Sequence, residues 1–314
     1  MIYILILLGF AMLIGGGNIL VDGAVATAKR MHVSPLLIGL TLIGFGTSSP
    51  ELMTSLFAAA MDVEGIAVGN VVGSNIANVL LVLGVAASIC AIPVNQESFK
   101  RDSLFLGLAT GVLVVALIWG RIGFLMGCVM CAALAYYVYY SYKTEKKNAP
   151  VSPEQESIFT DGKSAHKAIG LAIAKTIAGI IITVIGARIL VINSVVLAER
   201  WGVSETVIGL TIVALGTSLP ELATSVIASL KKHSELAWGN VIGSNIYNAL
   251  FILGITALFI PINVPKNIWV DVLIMIATTA LIFYFGRKGS LPRKAGFLFC
   301  ALYIVYIGYL AIGG

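Results

Sequence analysis

Residues 39–84 read GLTLIGFGTSSPELMTSLFAAAMDVEGIAVGNVVGSNIANVLLVLG, and residues 209–254 read GLTIVALGTSLPELATSVIASLKKHSELAWGNVIGSNIYNALFILG. The two stretches align at a constant offset of 170 residues without a gap, and 24 of 46 positions are identical. Most matches are polar or small residues, so a shared apolar composition does not account for them. In each copy a carboxylate, Glu51 or Glu221, follows a proline in the middle of an apolar run. A charged side chain at bilayer depth costs roughly 3 kcal/mol or more. A chain that carries this cost twice, at equivalent positions, points to a function rather than a scaffold.

The surroundings are those of a membrane protein. Of 314 residues, 59% are hydrophobic and 11% are charged, and the mean hydropathy is +0.99. A soluble domain carries about 25% charged residues, which excludes that class. A span needs about 20 apolar residues to cross a core of about 30 Å. Ten candidates appear, at 2–27, 35–60, 66–91, 102–119, 122–142, 167–197, 205–230, 236–260, 268–286 and 294–312. The first lacks the basic segment and cleavage site of a signal peptide and is expected to be retained. Cys90, Cys128, Cys131 and Cys300 all lie in apolar runs. The Cys128–Cys131 spacing lacks the second pair or histidine that a soft-metal site needs, so packing is the expected role.

Lys and Arg divide unequally among alternate loops. One set, running from Lys29 and Arg30 to Arg293 and Lys294, holds 15, whereas the other holds only Arg121, Arg200 and Lys266. The positive-inside rule places the richer set in the cytoplasm and, with ten spans, both termini outside. The pI near 9.0 then reflects membrane orientation, and no nucleic-acid partner is expected. The polar stretch 143–166 reads as a cytoplasmic linker between a first five-helix repeat (1–142) and a second (167–314). Five is odd, so the second repeat begins on the opposite side. The expected fold is therefore an all-α membrane protein with ten transmembrane helices in two inverted five-helix repeats, an architecture of secondary transporters with substrate near the midplane.

The repeated residues have a chemistry in common. Pro50 and Pro220 lack an N–H and deprive the carbonyls of Gly46 and Gly216, and their neighbours, of helical partners. A broken helix at membrane depth is tolerated where it is buried or lines a cavity. Freed carbonyls, the hydroxyls of Thr47, Ser48, Thr217 and Ser218, and the carboxylates of Glu51 and Glu221 form an all-oxygen set, which suits hard cations such as Ca²⁺ and Na⁺. Ser74 and Asn78 share a helix face, as do Ser244 and Asn248, and could complete the cage. Asn70, Asn75, Asn240 and Asn245 read as structural kink residues. Asp22, in the first span, either lines the ion path or packs helices near the interface. Two carboxylates balance one Ca²⁺ or two Na⁺, so competition for one cage couples the ions. An intramembrane hydrolase would leave the neutral oxygens and the inverted copy unexplained, and a channel would need an open pore or subunit ring.

The paired GTS-x-PE and GN-x-x-GSN-x-x-N segments resemble the alpha repeats of the calcium/cation antiporter superfamily, most closely the prokaryotic sodium/calcium exchangers. The resemblance spans nearly the whole chain. It implies a core of the second, third, seventh and eighth spans, with the first and sixth as a sliding gate. It implies a ligand set of the Gly44 and Ala214 carbonyls with Thr47, Ser48, Glu51, Thr217, Ser218, Glu221, Ser74, Ser244, Asn78 and Asn248. Some members hold Asp where this chain has Asn248, so this cage carries two formal charges, and potassium co-transport is disfavoured. The expected activity is Na⁺/Ca²⁺ antiport by a monomer in the cell membrane, without a cofactor and not as an enzyme. H⁺/Ca²⁺ exchange on the same fold is the alternative.

Overall fold

A computed structural model of the chain describes residues 1–148, 162–202 and 214–311. Its helices are α1 (Ile2–Met31), α2 (Pro35–Ala60), α3 (Glu64–Ile89), α4 (Gln96–Ile118), α5 (Phe124–Asn148), α6 (Gly162–Arg200), α7 (Leu219–Leu230), α8 (Ser234–Phe259), α9 (Trp269–Arg287) and α10 (Arg293–Ala311). Among the described residues, all but α7 are long and apolar enough to cross a membrane. The span expected at 205–230 lies partly outside the described residues; its described part is a helical turn at Ala214–Gly216 followed by α7.

Three boundaries differ from the expected spans. α5 runs on to Asn148 and α6 begins at Gly162, so both ends of the segment expected as a 143–166 linker are helical. Lys and Glu are good helix formers, and a helix need not stop where its apolar run does. Likewise α4 starts at Gln96, six residues before the expected span, because the Asn95 side chain caps it by accepting from Glu97 N at 2.9 Å and Ser98 N at 3.0 Å. This draws Arg101, expected among the loop cations, into the helix. There it is buried and paired bidentately with Asp102, at 2.6 and 3.2 Å.

α1 and α6 lie against each other, antiparallel, through small residues. A Cβ at Gly16 would stand 2.7 Å from Thr183 N, and one at Gly23 2.6 Å from Thr176 N. Gly9 faces Leu190, while Gly179 faces Leu20; each contact becomes the other when 170 is added to one partner and subtracted from its mate. Backbones this close gain dispersion contacts that longer side chains would prevent, which is how helices associate where lipid removes the hydrophobic drive.

The same exchange recurs elsewhere. Strand β1 (Ile92–Pro93) pairs antiparallel with β4 (Ser290–Leu291), and β2 (Arg121–Ile122) with β3 (Ile262–Asn263). Gly84 in α3 packs on Cys300 in α10, and Gly254 in α8 on Cys131 in α5, which gives these cysteines the packing role expected of them. The interior is centred on α2, α3 and α8, where Leu40, Ile43, Val71, Ile76, Trp238, Ile242 and Leu253 are all buried. α8 is the most enclosed helix, and its Gly243 lies directly against the Leu40 backbone of α2.

Candidate cation site at the helix breaks

Proline sets the shape of the site. Pro50 opens the second half of α2 (Ser49–Ala60), and Pro220 opens α7. Just before each, the backbone leaves the helix in the same way: φ/ψ is −81°/5° at Ser48 and −85°/2° at Ser218. Each break starts a new helix whose N-terminus carries partial positive charge, and Glu51 and Glu221 stand in those first turns. The Ser48 hydroxyl does not cap its own helix. It donates instead across the molecule to Glu221 Oε1 at 3.3 Å.

Both glutamates are 1% exposed, and the Glu221 carboxylate is near enough for its charge to be felt at Glu51. Thr217 faces Glu51 from the second copy, while Thr47 faces Glu221 from the first. Buried polar atoms without a hydrogen-bond partner include Glu51 Oε2, Glu221 Oε2, Ser218 Oγ, Ser244 Oγ, Asn78 Oδ1, and both Oδ1 and Nδ2 of Asn248, and the π-turns that Asn78 and Asn248 open lie against the helices that carry Glu221 and Glu51. An unsatisfied buried polar group costs about 1–3 kcal/mol. The unpaired oxygens among them are therefore expensive unless a cation or another donor uses them, whereas Asn248 Nδ2 is a donor and needs an acceptor.

The helices facing the breaks are irregular where the site needs them to be. α3 widens to a π-turn over Asn78–Leu83 and α8 over Asn248–Ile252, a distortion that concentrates at functional sites. The first residue of each π-turn is the asparagine expected as a ligand. Ser74 and Ser244 lie one turn earlier and are buried. A Cβ at Gly44 would stand 3.2 Å from Ser244 N, so the α2 and α8 backbones nearly touch beside the site. The Gly44 carbonyl accepts Ser48 N at 3.2 Å; it keeps a helical bond, and only its second lone pair is open. Thr47 is fully buried and donates to the Ile43 carbonyl at 3.0 Å. Ala214 heads a described helical turn, and its side chain lies outside the described residues.

The asparagines read as kink residues do something else. Asn70 Nδ2 donates to the Glu51 carbonyl and to Ser55 Oγ, both at 3.0 Å. Asn240 Nδ2 donates to the Glu221 carbonyl at 3.4 Å and to Ser225 Oγ at 3.1 Å. Each amide therefore ties the glutamate's backbone to the neighbouring helix. Asn75 Nδ2 reaches the Asn245 carbonyl at 3.4 Å, Asn245 Nδ2 reaches the Asn75 carbonyl at 3.3 Å, and Asn78 Nδ2 donates to Asn245 Oδ1 at 3.0 Å. These bonds join α3 to α8 across the middle of the molecule. The sequence showed that these residues recur but not what they bond: Asn70 and Asn240 each fall 19 residues after their glutamate, and Ser55 and Ser225 each fall 4 residues after it.

Among the described residues no three His, Cys, Asp or Glu side chains gather as a metal cluster. The site is two carboxylates amid neutral hydroxyl and amide oxygens, a hard-cation donor set without a soft ligand.

Comparison with known proteins points to one family. The sodium/calcium exchanger protein family matches residues 1–143 and 171–312. The putative antiporter CaxA of Alkalimonas amylolytica is 36% identical over 98% of this chain and 96% of its own length. The sodium/calcium exchanger MaX1 of Methanosarcina acetivorans is 32% identical, with 97% of each chain covered. Among solved structures, the sodium-calcium exchanger NCX_Mj soaked with 10 mM Na⁺ and zero Ca²⁺ superposes with a TM-score of 0.86 at 30% identity, over 98% of this chain and 99% of that one.

Proposed function

The chain belongs to the sodium/calcium exchanger protein family, and from that premise we propose that it exchanges Na⁺ for Ca²⁺ across the cell membrane by alternating access. It is a multi-pass membrane transporter of the antiporter type, not an enzyme. The observation that carries the reading is the pair Glu51 and Glu221, buried as neighbours from the two repeats, each with Oε2 unpartnered and with hydroxyls of the opposite copy facing it.

Two negative charges balance one Ca²⁺ or two Na⁺, so the ions compete for one cage. Two bare carboxylates moving across the bilayer would be costly. Only an occupied cage crosses readily, and that condition turns competition into exchange. The ligands of this cage are Glu51, Glu221, Thr47, Ser48, Thr217, Ser218, Ser74, Ser244, Asn78 and Asn248, with the Gly44 and Ala214 carbonyls.

The accompanying architecture is ten spans in two inverted halves, 1–142 and 167–314, with both termini outside, 143–166 in the cytoplasm and the chain acting as a monomer. The exchange-related contacts support the inversion: the antiparallel α1–α6 pair, the β1–β4 and β2–β3 pairings, and the reciprocal Asn75 and Asn245 bonds.

The test is ⁴⁵Ca²⁺ uptake into proteoliposomes under an imposed Na⁺ gradient and, separately, an imposed pH gradient. Uptake is expected with the Na⁺ gradient alone, and Glu51→Gln or Glu221→Gln is expected to abolish it. Uptake driven by the pH gradient alone would transfer the reading to H⁺/Ca²⁺ exchange. Full activity in both variants would remove the site.

A further inference from the structure

Asp22 is one of the few charged residues within an apolar run that the cation site does not use. It lies on α1, and its carboxylate meets Lys231 Nζ of the α7 C-terminus at 2.7 Å. Lys231 Nζ also donates to the Asn18 carbonyl, one turn away on α1, at 3.3 Å. A second cation, Lys175 of α6, stands 3.8 Å from the other Asp22 oxygen. The lysine is 29% exposed and the aspartate 50%, so the pair is only partly screened by water.

What these groups connect gives the cluster its meaning. α1 and α6 are zipped to each other along their length by glycine contacts. Among the described residues, their other neighbours are chiefly α7 and α2. Part of that joint is a small apolar cluster of Leu13, Ala187 and Leu190, apart from the main core, with Ile6, Leu219 and Ala223 packed on it. Further along, Gly17 lies against Ile227 of α7. Apolar contacts of this kind are non-directional and tolerate a sliding displacement. A hydrogen-bonded ion pair does not, because it is lost within a few ångströms.

Resting on the antiport reading, we infer that Asp22 and Lys231 form a latch that registers the α1–α6 pair on α7 at the lysine-rich end of the bundle. α7 carries Glu221 at its other end, so the latch joins the α1–α6 pair to the element that holds the ion. Any step that shifts the pair against α7 must break the bond between Asp22 and Lys231. Lys175 travels with Asp22, because α6 moves with α1. It remains beside the carboxylate when Lys231 leaves, so the aspartate is not stranded. Asp22 and Lys231 are thus positioning residues that bias the transport cycle without touching the ion.

The test uses the full chain in lipid nanodiscs, with Ile227→Cys as a reporter buried between α7 and Gly17 of α1. Maleimide labelling of that cysteine is followed by peptide mass spectrometry, which leaves the native cysteines in place. Asp22→Asn and Lys231→Gln are each expected to raise the labelling rate about three- to five-fold, the scale of a partly exposed ion pair. The double variant is expected to go no further than either single, because both remove the same bond, and Lys231→Arg is expected to label at the parental rate. Sodium-driven uptake should change in the same pattern, while ⁴⁵Ca²⁺ binding in detergent stays at its wild-type value. Parental labelling in both single variants, or effects that multiply in the double, would overturn the latch. An absence of sodium-driven uptake in the wild type would instead remove the antiport reading, with the labelling pattern still deciding whether the pair holds α1 to α7.

Discussion

Replacing Gly243 with alanine tests whether the cation site depends on close approach of α2 and α8. The new Cβ would lie 2.5 Å from the Leu40 carbonyl oxygen, 2.8 Å from its Cα and 2.9 Å from its carbonyl carbon. All three atoms are helix backbone, so no side chain can swing aside. Reaching an ordinary contact of 3.4 Å requires about 0.9 Å of separation between the helices. Overpacking of this kind costs about 1–3 kcal/mol. The displacement falls next to Ser244, which reaches Glu221 from α8, and five residues before Asn248, a proposed ligand. Part of the cost therefore appears as lost Ca²⁺ affinity, about tenfold for 1.4 kcal/mol. Two measurements check this: ⁴⁵Ca²⁺ binding to the purified protein, and its melting temperature by fluorescence-detected size exclusion. Gly111→Ala, on the exposed face of α4 where the Cβ meets nothing within 4 Å among the described residues, is the control and should be silent. Wild-type binding and melting in Gly243→Ala would refute the premise that the two backbones must touch for the cage to form.

Two further outcomes follow from the hydrogen bonds. Asn240→Ala removes the donor that ties the Glu221 carbonyl to α8 and leaves buried Ser225 without that partner. It should lower stability by about 1–3 kcal/mol and weaken Ca²⁺ binding, with Asn70→Ala doing the same for Glu51; unchanged binding isotherms would contradict the anchoring role. Arg101→Ala removes the bidentate donor of buried Asp102. It should destabilise the protein by about 3 kcal/mol or more while sparing Ca²⁺ binding in the protein that folds, and a melting temperature equal to wild type would count against it.

The sequence alone was enough to single out a candidate site, because the chain contains its own comparison. Two copies of one segment, aligned without a gap, separate the residues that recur for chemistry from the apolar background. The prolines added the mechanism, since a missing N–H has the same consequence wherever it occurs in a helix. What failed was local. The boundaries of α4 and α5 were missed because a cap such as Asn95 and a run of helix-forming polar residues carry a helix beyond its apolar stretch. Arg101 was counted as a loop cation because loop and first helical turn look alike in composition.

Partnership between distant residues lay beyond sequence reasoning. Nothing in the spacing of Asn70 or Asn240 states that their amides grip the backbone of Glu51 and Glu221, and their roles emerged only when α3 and α8 were set beside the broken helices. The bond between Asp22 and Lys231 spans 209 positions and depends on which face of α1 meets α7. Periodicity fixes which side of a helix is apolar, whereas the neighbour it meets is decided by packing the whole bundle at once. The inventory of oxygens and charges was therefore present in the linear chain. The bonds that Ser48, Asn70 and Asn240 make to the glutamate segments, and the ion pair at the end of α7, belong to the tertiary structure, because only close packing brings together groups the chain keeps apart.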